Sequence, residues 1–351
     1  MIKQQERMQT QPLKLIFKGR LEFGNQRSFE LALQHWQNRV ENYFKSDVLF
    51  KAEDVLSEED FALTVPQQKM ASTSEKSWRN TVSLFGEMAQ YAVAGNIWAW
   101  CIGEGGLLEK MNIEPDSDKV AVQEYRRGRS LVGQVGKEQE ATEALSRAIE
   151  KFERHALAYE RRGYVNYKLR NFNDALRDFS KSIRSNPYHP DAYYGSGKVK
   201  MLKNDWESAA QDFDQAVKHS LALQPLHWLA RMRKGESLFH AKKYTEAVYE
   251  LRLYLKRNFD ESDPNYNRRR RATYLLGKAL LALNDAPAAL EAFDQTLAIP
   301  VGVELAPEAE GLLHRAIAKH RVGKPGYALD LEAAAKMGSE EAARLLEEWQ
   351  A

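Results

Sequence analysis

Two spacings of apolar residues divide this chain. Near the start, Leu13, Leu15 and Phe17 alternate with Lys14 and Lys18, the two-residue period of a strand, although Ile16 gives the second face an apolar member. From Phe29 the period lengthens. Phe29, Leu33, Trp36, Val40 and the pair Tyr43/Phe44 recur every three to four residues, which predicts a helix capped by Ser28. Residues 48–65 read as extended or hairpin-like, with an acidic turn running from Ser57 to Asp60. Trp78, Val82, Phe85, Ala89 and Val93 form a second amphipathic stripe, which Gly95 and Asn96 are expected to stop. Residues 97–102 and 107–113 flank Gly103-Glu104-Gly105-Gly106, the pattern of a hairpin closed by a glycine turn. The order strand, helix, extended pair, helix, hairpin predicts a small α+β domain of ferredoxin-like type over residues 1–118.

Beyond residue 118 the strand pattern gives way to repetition. Tyr125, Tyr159 and Tyr193 are 34 residues apart, and so are Ala141, Ala175 and Ala209. Leu145, Phe179 and Phe213 keep the same step, as do Ala148, Ser182 and Ala216. Four columns in one register mark a repeat architecture. This part of the chain resembles the tetratricopeptide repeat family, whose unit is a 34-residue helical hairpin. Gly163 and Gly197 stand in the small-residue column, where helix A of a unit comes close to helix B, and Pro187 closes the second unit. The first unit departs from the pattern, with Arg129 expected in the small column. Gly235, Ala247 and Leu251 repeat the register 38 residues after Gly197, Ala209 and Phe213, and Gly277, Ala289 and Phe293 do so 42 residues further on. The extra residues fall near 221–225 and 258–266. A degenerate sixth unit spans 307–337, with Glu340–Gln350 as a closing helix. The resemblance implies a mainly α fold: a right-handed α-solenoid over residues 119–351, of five to six repeats plus a C-terminal capping helix.

In that family the A helices line a concave groove for partner proteins. Carried onto this register, the resemblance implies inward-facing Arg126, Arg161, Tyr164, Tyr167, Tyr194, Lys198, Arg233, Arg271, Tyr274 and Lys278. Arginine grips carboxylates or phosphates in a two-pronged fashion, and tyrosine offers flat contact area at low entropic cost. The groove is therefore expected to take an acidic peptide or protein segment. The family's clamp for the carboxy terminus of heat-shock chaperones is not matched. Its Lys, Asn, Asn, Lys and Arg positions hold Arg126, Ser130, Arg161, Asp191 and Gly195 here, and starting one or two units later does not improve the fit.

Charge sharpens this picture. The 51 Lys+Arg against 49 Asp+Glu leave a net +2, which conceals a polarised chain. Residues 1–120 carry −3, residues 121–280 carry +11, and residues 281–351 carry −6. The densest run, Arg268-Arg269-Arg270-Arg271, covers every direction of a helix, so one or two of its members can reach the groove. It also sits at a helix start, where positive charge opposes the macrodipole.

The chemistry of catalysis is missing from the motifs. Neither G-x-x-x-x-G-K-[ST] nor G-x-G-x-x-G occurs, the eight histidines show no H-E-x-x-H, and the lone Cys101 lies in an apolar run as a structural thiol. No catalytic residue, metal ligand or cofactor is therefore assigned. A mean hydropathy of −0.59 with no apolar run near ~18 residues speaks against a membrane span, and the first thirty residues lack a secretory leader, so a cytoplasmic address is expected. The function expected is a non-catalytic interaction scaffold. The alternatives are nucleic-acid binding by the basic middle repeats, and a small-ligand sensor with residues 1–118 as effector. Oligomeric state stays open.

Overall fold

The structure, a computed structural model, describes residues 13–300 and 307–350. Residues 1–12, on which the reading of the leader partly rests, lie outside them. By its internal contacts the chain divides into two compact units, Met1–His189 and Pro190–Ala351.

The first unit opens with a five-stranded sheet. Its elements are β1 (Leu13–Glu22), α1 (Gln26–Asn38, continued by a π turn at Arg39–Tyr43), α2 (Ala52–Val55), β2 (Leu56–Ser57), β3 (Ala62–Thr73), α3 (Glu75–Ala89), β4 (Ala94–Gly103) and β5 (Gly106–Ile113). The strand order is β2-β3-β1-β4-β5, and every neighbouring pair is antiparallel. Thus β1 lies between β3 and β4, which α3 joins, and β3 lies between β1 and β2, which the first helices join. These two interleaved split β-α-β units make the ferredoxin-like order, to which the β4–β5 hairpin adds a fifth strand. One face of the sheet packs under α1 and α3. Phe17 meets Phe50, Trp78 and Phe85 at ring-centroid distances of 5.4, 5.3 and 5.8 Å. Cys101 is fully buried in the same core, and burial, with Glu109 and Glu75 nearby, raises its thiol to about 11, so it is inert.

Two local expectations are corrected. The cap of α1 is Asn25, whose side chain accepts from the Ser28 N–H; Ser28 lies inside the first turn. Gly95 does not stop α3, which ends at Ala89. It lies in β4 at φ +97°, and a Cβ there would stand 2.0 Å from the Arg20 carbonyl oxygen, so the strands meet at a spacing only glycine tolerates.

The repeats follow. The first unit contains α4 (Val120–Leu131), α5 (Glu138–Lys151), α6 (Ala156–Lys168) and α7 (Phe172–Ser185). The second contains α8 (Pro190–Leu202), α9 (Trp206–Lys218), α10 (Pro225–His240), α11 (Tyr244–Leu255), α12 (Arg269–Ala282), α13 (Ala286–Ala298), α14 (Glu308–Arg321), α15 (Tyr327–Lys336) and α16 (Glu340–Gln350). The A helices α6, α8, α10 and α12 pack on their B helices through a glycine. A Cβ at Gly163, Gly197, Gly235 or Gly277 would stand 3.0, 2.9, 2.9 or 2.6 Å from Phe179, Phe213, Leu251 or Phe293. In the first repeat the small residue is Gly128, not Arg129: a Cβ there would lie 2.6 Å from Leu145. Its hairpin holds one residue more between the two columns than the others do, which displaces the register counted from Tyr125. Arg129 instead forms an ion pair with Glu114 at 2.6 Å. The last helix, α16, packs Leu345, Leu346 and Trp349 on the core of α14 and α15, and the Trp349 ring stacks on His320 at 3.9 Å.

The A-to-B turns also place residues in the left-handed region: Gly133 and Gly136 in the first, Gly323 and Gly326 in the last, and one each in the four between, Arg170, Asn204, Lys242 and Asn284 at φ +62°, +59°, +61° and +60°. Glycine and asparagine adopt this conformation readily, whereas a lysine pays about 1–2 kcal/mol. Lys242→Gly is therefore expected to raise stability by about 0.5–1 kcal/mol, after allowing for glycine's backbone entropy, and to lift the thermal midpoint by about 2 °C in a scanning calorimeter.

Candidate partner-binding face

Consecutive A helices touch one another in the second unit, α8 with α10, α10 with α12, and α12 with α14, so their side chains share a layer. At its centre stands Glu236, a residue that sequence reasoning did not single out. It is 2 % exposed, and its carboxylate accepts from Arg233 Nη1 at 2.6 Å on its own helix and from Arg271 Nε at 3.0 Å on α12. Burial opposes ionisation, but the two guanidiniums outweigh it and hold the carboxyl below its ordinary range. The sequence signal was available in retrospect: Glu236 follows the small-column Gly235, and its (i−3) neighbour is Arg233.

Around this bridge the other expected residues divide. Lys198 holds its ammonium 5.9 Å from the Tyr194 ring, and Tyr194 packs on Phe213 at 5.6 Å. Lys278 lies over both Phe239 and Tyr274, at 5.6 and 5.5 Å. Tyr274 itself is 9 % exposed and donates to Glu310 at 2.9 Å, so burial and that carboxylate raise its phenol. The arginine run splits as its helical spacing requires. Arg271 turns to Glu236, Arg270 is buried and bonds the Ile299 carbonyl, and Arg268 stands near Arg233.

In the first unit, Arg161 pairs with the buried Glu160 at 3.1 Å, and Arg126 pairs with Asp116. Tyr164 and Tyr167 stand side by side, their centroids 6.4 Å apart. A cleft of about 620 Å³ elsewhere in this unit is lined by Arg20, Glu22, Asp54, Arg154, Arg184 and Tyr188, with Arg154 bonded to the buried Glu22 at 3.1 Å. No sequence pattern pointed to it.

Part of the basic charge serves the hairpins themselves. Arg162 grips Asp178 with two bonds of 2.9 and 2.7 Å, Lys234 meets Glu250 at 2.6 Å, and Arg315 grips Asp330 at 2.8 and 2.6 Å. Each cation precedes the small-column residue and each acid precedes the column residue of helix B. Among the described residues no helix is long and apolar enough to cross a membrane, and no cluster of His, Cys, Asp and Glu is arranged to hold a metal ion.

Comparison with known proteins agrees with this architecture. The tetratricopeptide repeat family model matches residues 125–190, 166–220 and 194–267. A TPR repeat-containing protein of Methanocaldococcus jannaschii, MJ1428, is 26 % identical over 127 residues, which are 34 % of this chain and 22 % of that protein. The chain thus spans about a fifth of that relative's length. Among solved structures, YrrB, described as a TPR protein with an unusual peptide-binding site, superposes with a TM-score of 0.50 at 19 % identity, covering 59 % of this chain and 99 % of YrrB. PilF of Pseudomonas aeruginosa gives 0.49 at 17 %, over 66 % and 98 %. At these identities the likeness to YrrB is one of fold. The helical repeats over residues 125–267 belong to the tetratricopeptide repeat family.

Proposed function

We infer that this protein is a non-catalytic, cytoplasmic scaffold whose repeat array, residues 119–351, docks an acidic peptide or protein segment, with residues 1–118 as a separate α+β domain. The observation that supports this most is the layer around Glu236. Arg233 and Arg271 bond that buried carboxylate, and Lys198 and Lys278 lie over the rings of Tyr194, Phe239 and Tyr274. Excess charge of one sign steers an oppositely charged partner, and aromatic faces between the cations give it apolar footing. Within the first unit, Arg126, Arg161, Tyr164 and Tyr167 are the partner-binding residues proposed. YrrB is described as having a peptide-binding site, and a peptide is the kind of partner proposed here.

The nucleic-acid reading has less support, because the four-arginine run is dispersed over three surroundings instead of forming a stripe. The test is fluorescence anisotropy with a labelled, degenerate peptide pool rich in Asp and Glu, against a neutral pool of equal length. The acidic pool is expected to bind at least about tenfold tighter, to weaken as salt is raised, and to lose that advantage in Arg161→Glu/Lys198→Glu/Lys278→Glu. Equal binding of the two pools, or an advantage that survives the triple reversal, overturns the assignment.

A further inference from the structure

We propose that the cleft in the first unit is a binding site for a short peptide with free ends, its terminal ammonium held at Glu53 and Asp54 and its terminal carboxylate at Arg184. None of the residues lining this cleft belongs to the docking face proposed above, so the two assignments stand or fall separately.

The base of the cleft is bonded to itself. Glu22, 4 % exposed, accepts from Arg20 Nε at 2.7 Å and from Arg154 Nη2 at 3.1 Å. Arg20 also donates to Thr64 Oγ1 at 2.9 Å, and Arg154 to the Asp60 carbonyl at 2.8 Å. These bonds tie β1 and the β2–β3 turn to the turn before α6, so the base is fixed before a ligand arrives and its charges answer one another. What is left to meet a ligand is the rim. Glu53 and Asp54 of α2 line it from the sheet side, and Arg184, in the last turn of α7, lines it from the repeats. Among the described residues neither Asp54 nor Arg184 forms an ion pair, and Glu53 reaches only the exposed Lys51, at 3.5 Å. Charges of opposite sign thus line one cleft without meeting, which suits a ligand that carries one of each sign at a distance. A peptide of about three residues spans about 10 Å when extended, with an ammonium at one end and a carboxylate at the other. Arginine grips such a carboxylate with two bonds. Leu56, Pro66, Pro187 and Tyr188 give the middle side chain apolar footing. The tyrosine is 53 % exposed, and its turn is held by its own N–H, which donates to Asn186 Oδ1 at 3.1 Å. The volume of about 620 Å³ falls within the range of small-ligand sites, about 300–1,000 Å³, and a single amino acid would leave most of it to water.

The experiment is equilibrium dialysis of the full chain against a degenerate tripeptide pool, read by mass spectrometry on both sides of the membrane. The same pool is also offered N-acetylated, C-amidated or capped at both ends. The free pool is expected to be retained, and each single cap to weaken retention at least about threefold, the effect of one exposed charge pair. A pool of single amino acids should be retained no better than the doubly capped peptides. Glu53→Gln/Asp54→Asn should remove the penalty for acetylation and keep that for amidation, Arg184→Gln should do the reverse, and Lys256→Gln, in the second unit, should change neither. Far-ultraviolet circular dichroism verifies folding, and the capped pools are read on the unaltered protein, so a variant that fails to fold leaves the test intact. Equal retention of the free and doubly capped pools, retention of single amino acids equal to that of tripeptides, or cap penalties unchanged in both variants overturns the site. The triple reversal Arg161→Glu/Lys198→Glu/Lys278→Glu, which tests the docking face, is expected to leave tripeptide retention as it was. A loss of retention there would put the tripeptides on the docking face and overturn the cleft.

Discussion

Phe293→Ala is expected to destabilise the second unit by about 3–5 kcal/mol, and adding Gly277→Ala to it to cost less than the two single changes summed. Phe293 is fully buried in the hairpin of α12 and α13, and its ring lies where a Cβ on Gly277 would go, with Cε1 at 2.6 Å and Cζ at 2.7 Å. Truncating the ring removes apolar burial and leaves a cavity. In the intact protein Gly277→Ala pushes a methyl into a ring that has no room to turn, which costs about 1–3 kcal/mol. In the Phe293→Ala background the same methyl enters the vacated space. A coupling of about 1–3 kcal/mol in favour of the double variant follows, readable from urea unfolding of the four proteins. Strict additivity would show that Gly277 is there for its backbone and not for the ring.

Lowering the pH from 7 to 5 is expected to cost about 2 kcal/mol through His155 alone. This side chain is fully buried at the start of α6, where its Nδ1 accepts from the Ala158 N–H at 3.3 Å and its ring lies 4.8 Å from Tyr125. Among the described residues the Nε2 has no hydrogen-bond partner, and burial lowers the imidazole to about 3. Glu114 and Arg126 line the same small void, but burial dominates the shift. The sign follows from linkage: a histidine whose folded pKa lies below its unfolded value of about 6.5 contributes fully above 6.5 and loses that contribution as the pH falls toward 3. The less enclosed histidines His227, His240 and His314 are shifted the same way, so the contrast that isolates His155 is a variant. His155→Asn keeps a capping side chain and removes the titration. Denaturant melts at pH 7 and pH 5 should show a fall in stability smaller by about 2 kcal/mol for His155→Asn than for the parent. An equal fall in both proteins would place the acid sensitivity elsewhere.

The parts of this fold that the sequence made legible are those repeated in one environment. Alanine, glycine and an aromatic or leucine recur in the hairpins because each hairpin closes the same gap, and the spacing survives even where the connections lengthen. What it hid has local causes. Gly128 was displaced by one residue because its hairpin is longer by one. The stretch of β3 from Pro66 to Thr73 has polar text, because an edge strand with one ladder partner needs little apolar surface. Gly95 read as a helix stop because close strand approach and helix termination call for the same residue.

The proposed binding face was harder. Register names the residues that point along an A helix, but not whether a cation there is met by an acid sixteen positions later, as Arg162 is by Asp178. Nor does it show that an acid such as Glu236 is buried between arginines of two helices. Those distinctions depend on which neighbours share a helix layer.

The interval between the small residue and its partner in helix B is sixteen residues from Gly163, Gly197, Gly235 and Gly277 alike, whereas the interval from one hairpin to the next stretches from 34 to 42. The hairpin is thus the conserved unit of manufacture and the connectors are its variable couplings. Length has been added where it perturbs no column: the long connector before α12 is secured to the repeats by Tyr254, which donates to the Asn265 carbonyl at 2.7 Å, and by the Asn265 side chain, which donates to the Pro225 carbonyl at 3.1 Å. An array built this way can lengthen its couplings without renegotiating its core. The connector that ends in the four arginines is where this chain has done so.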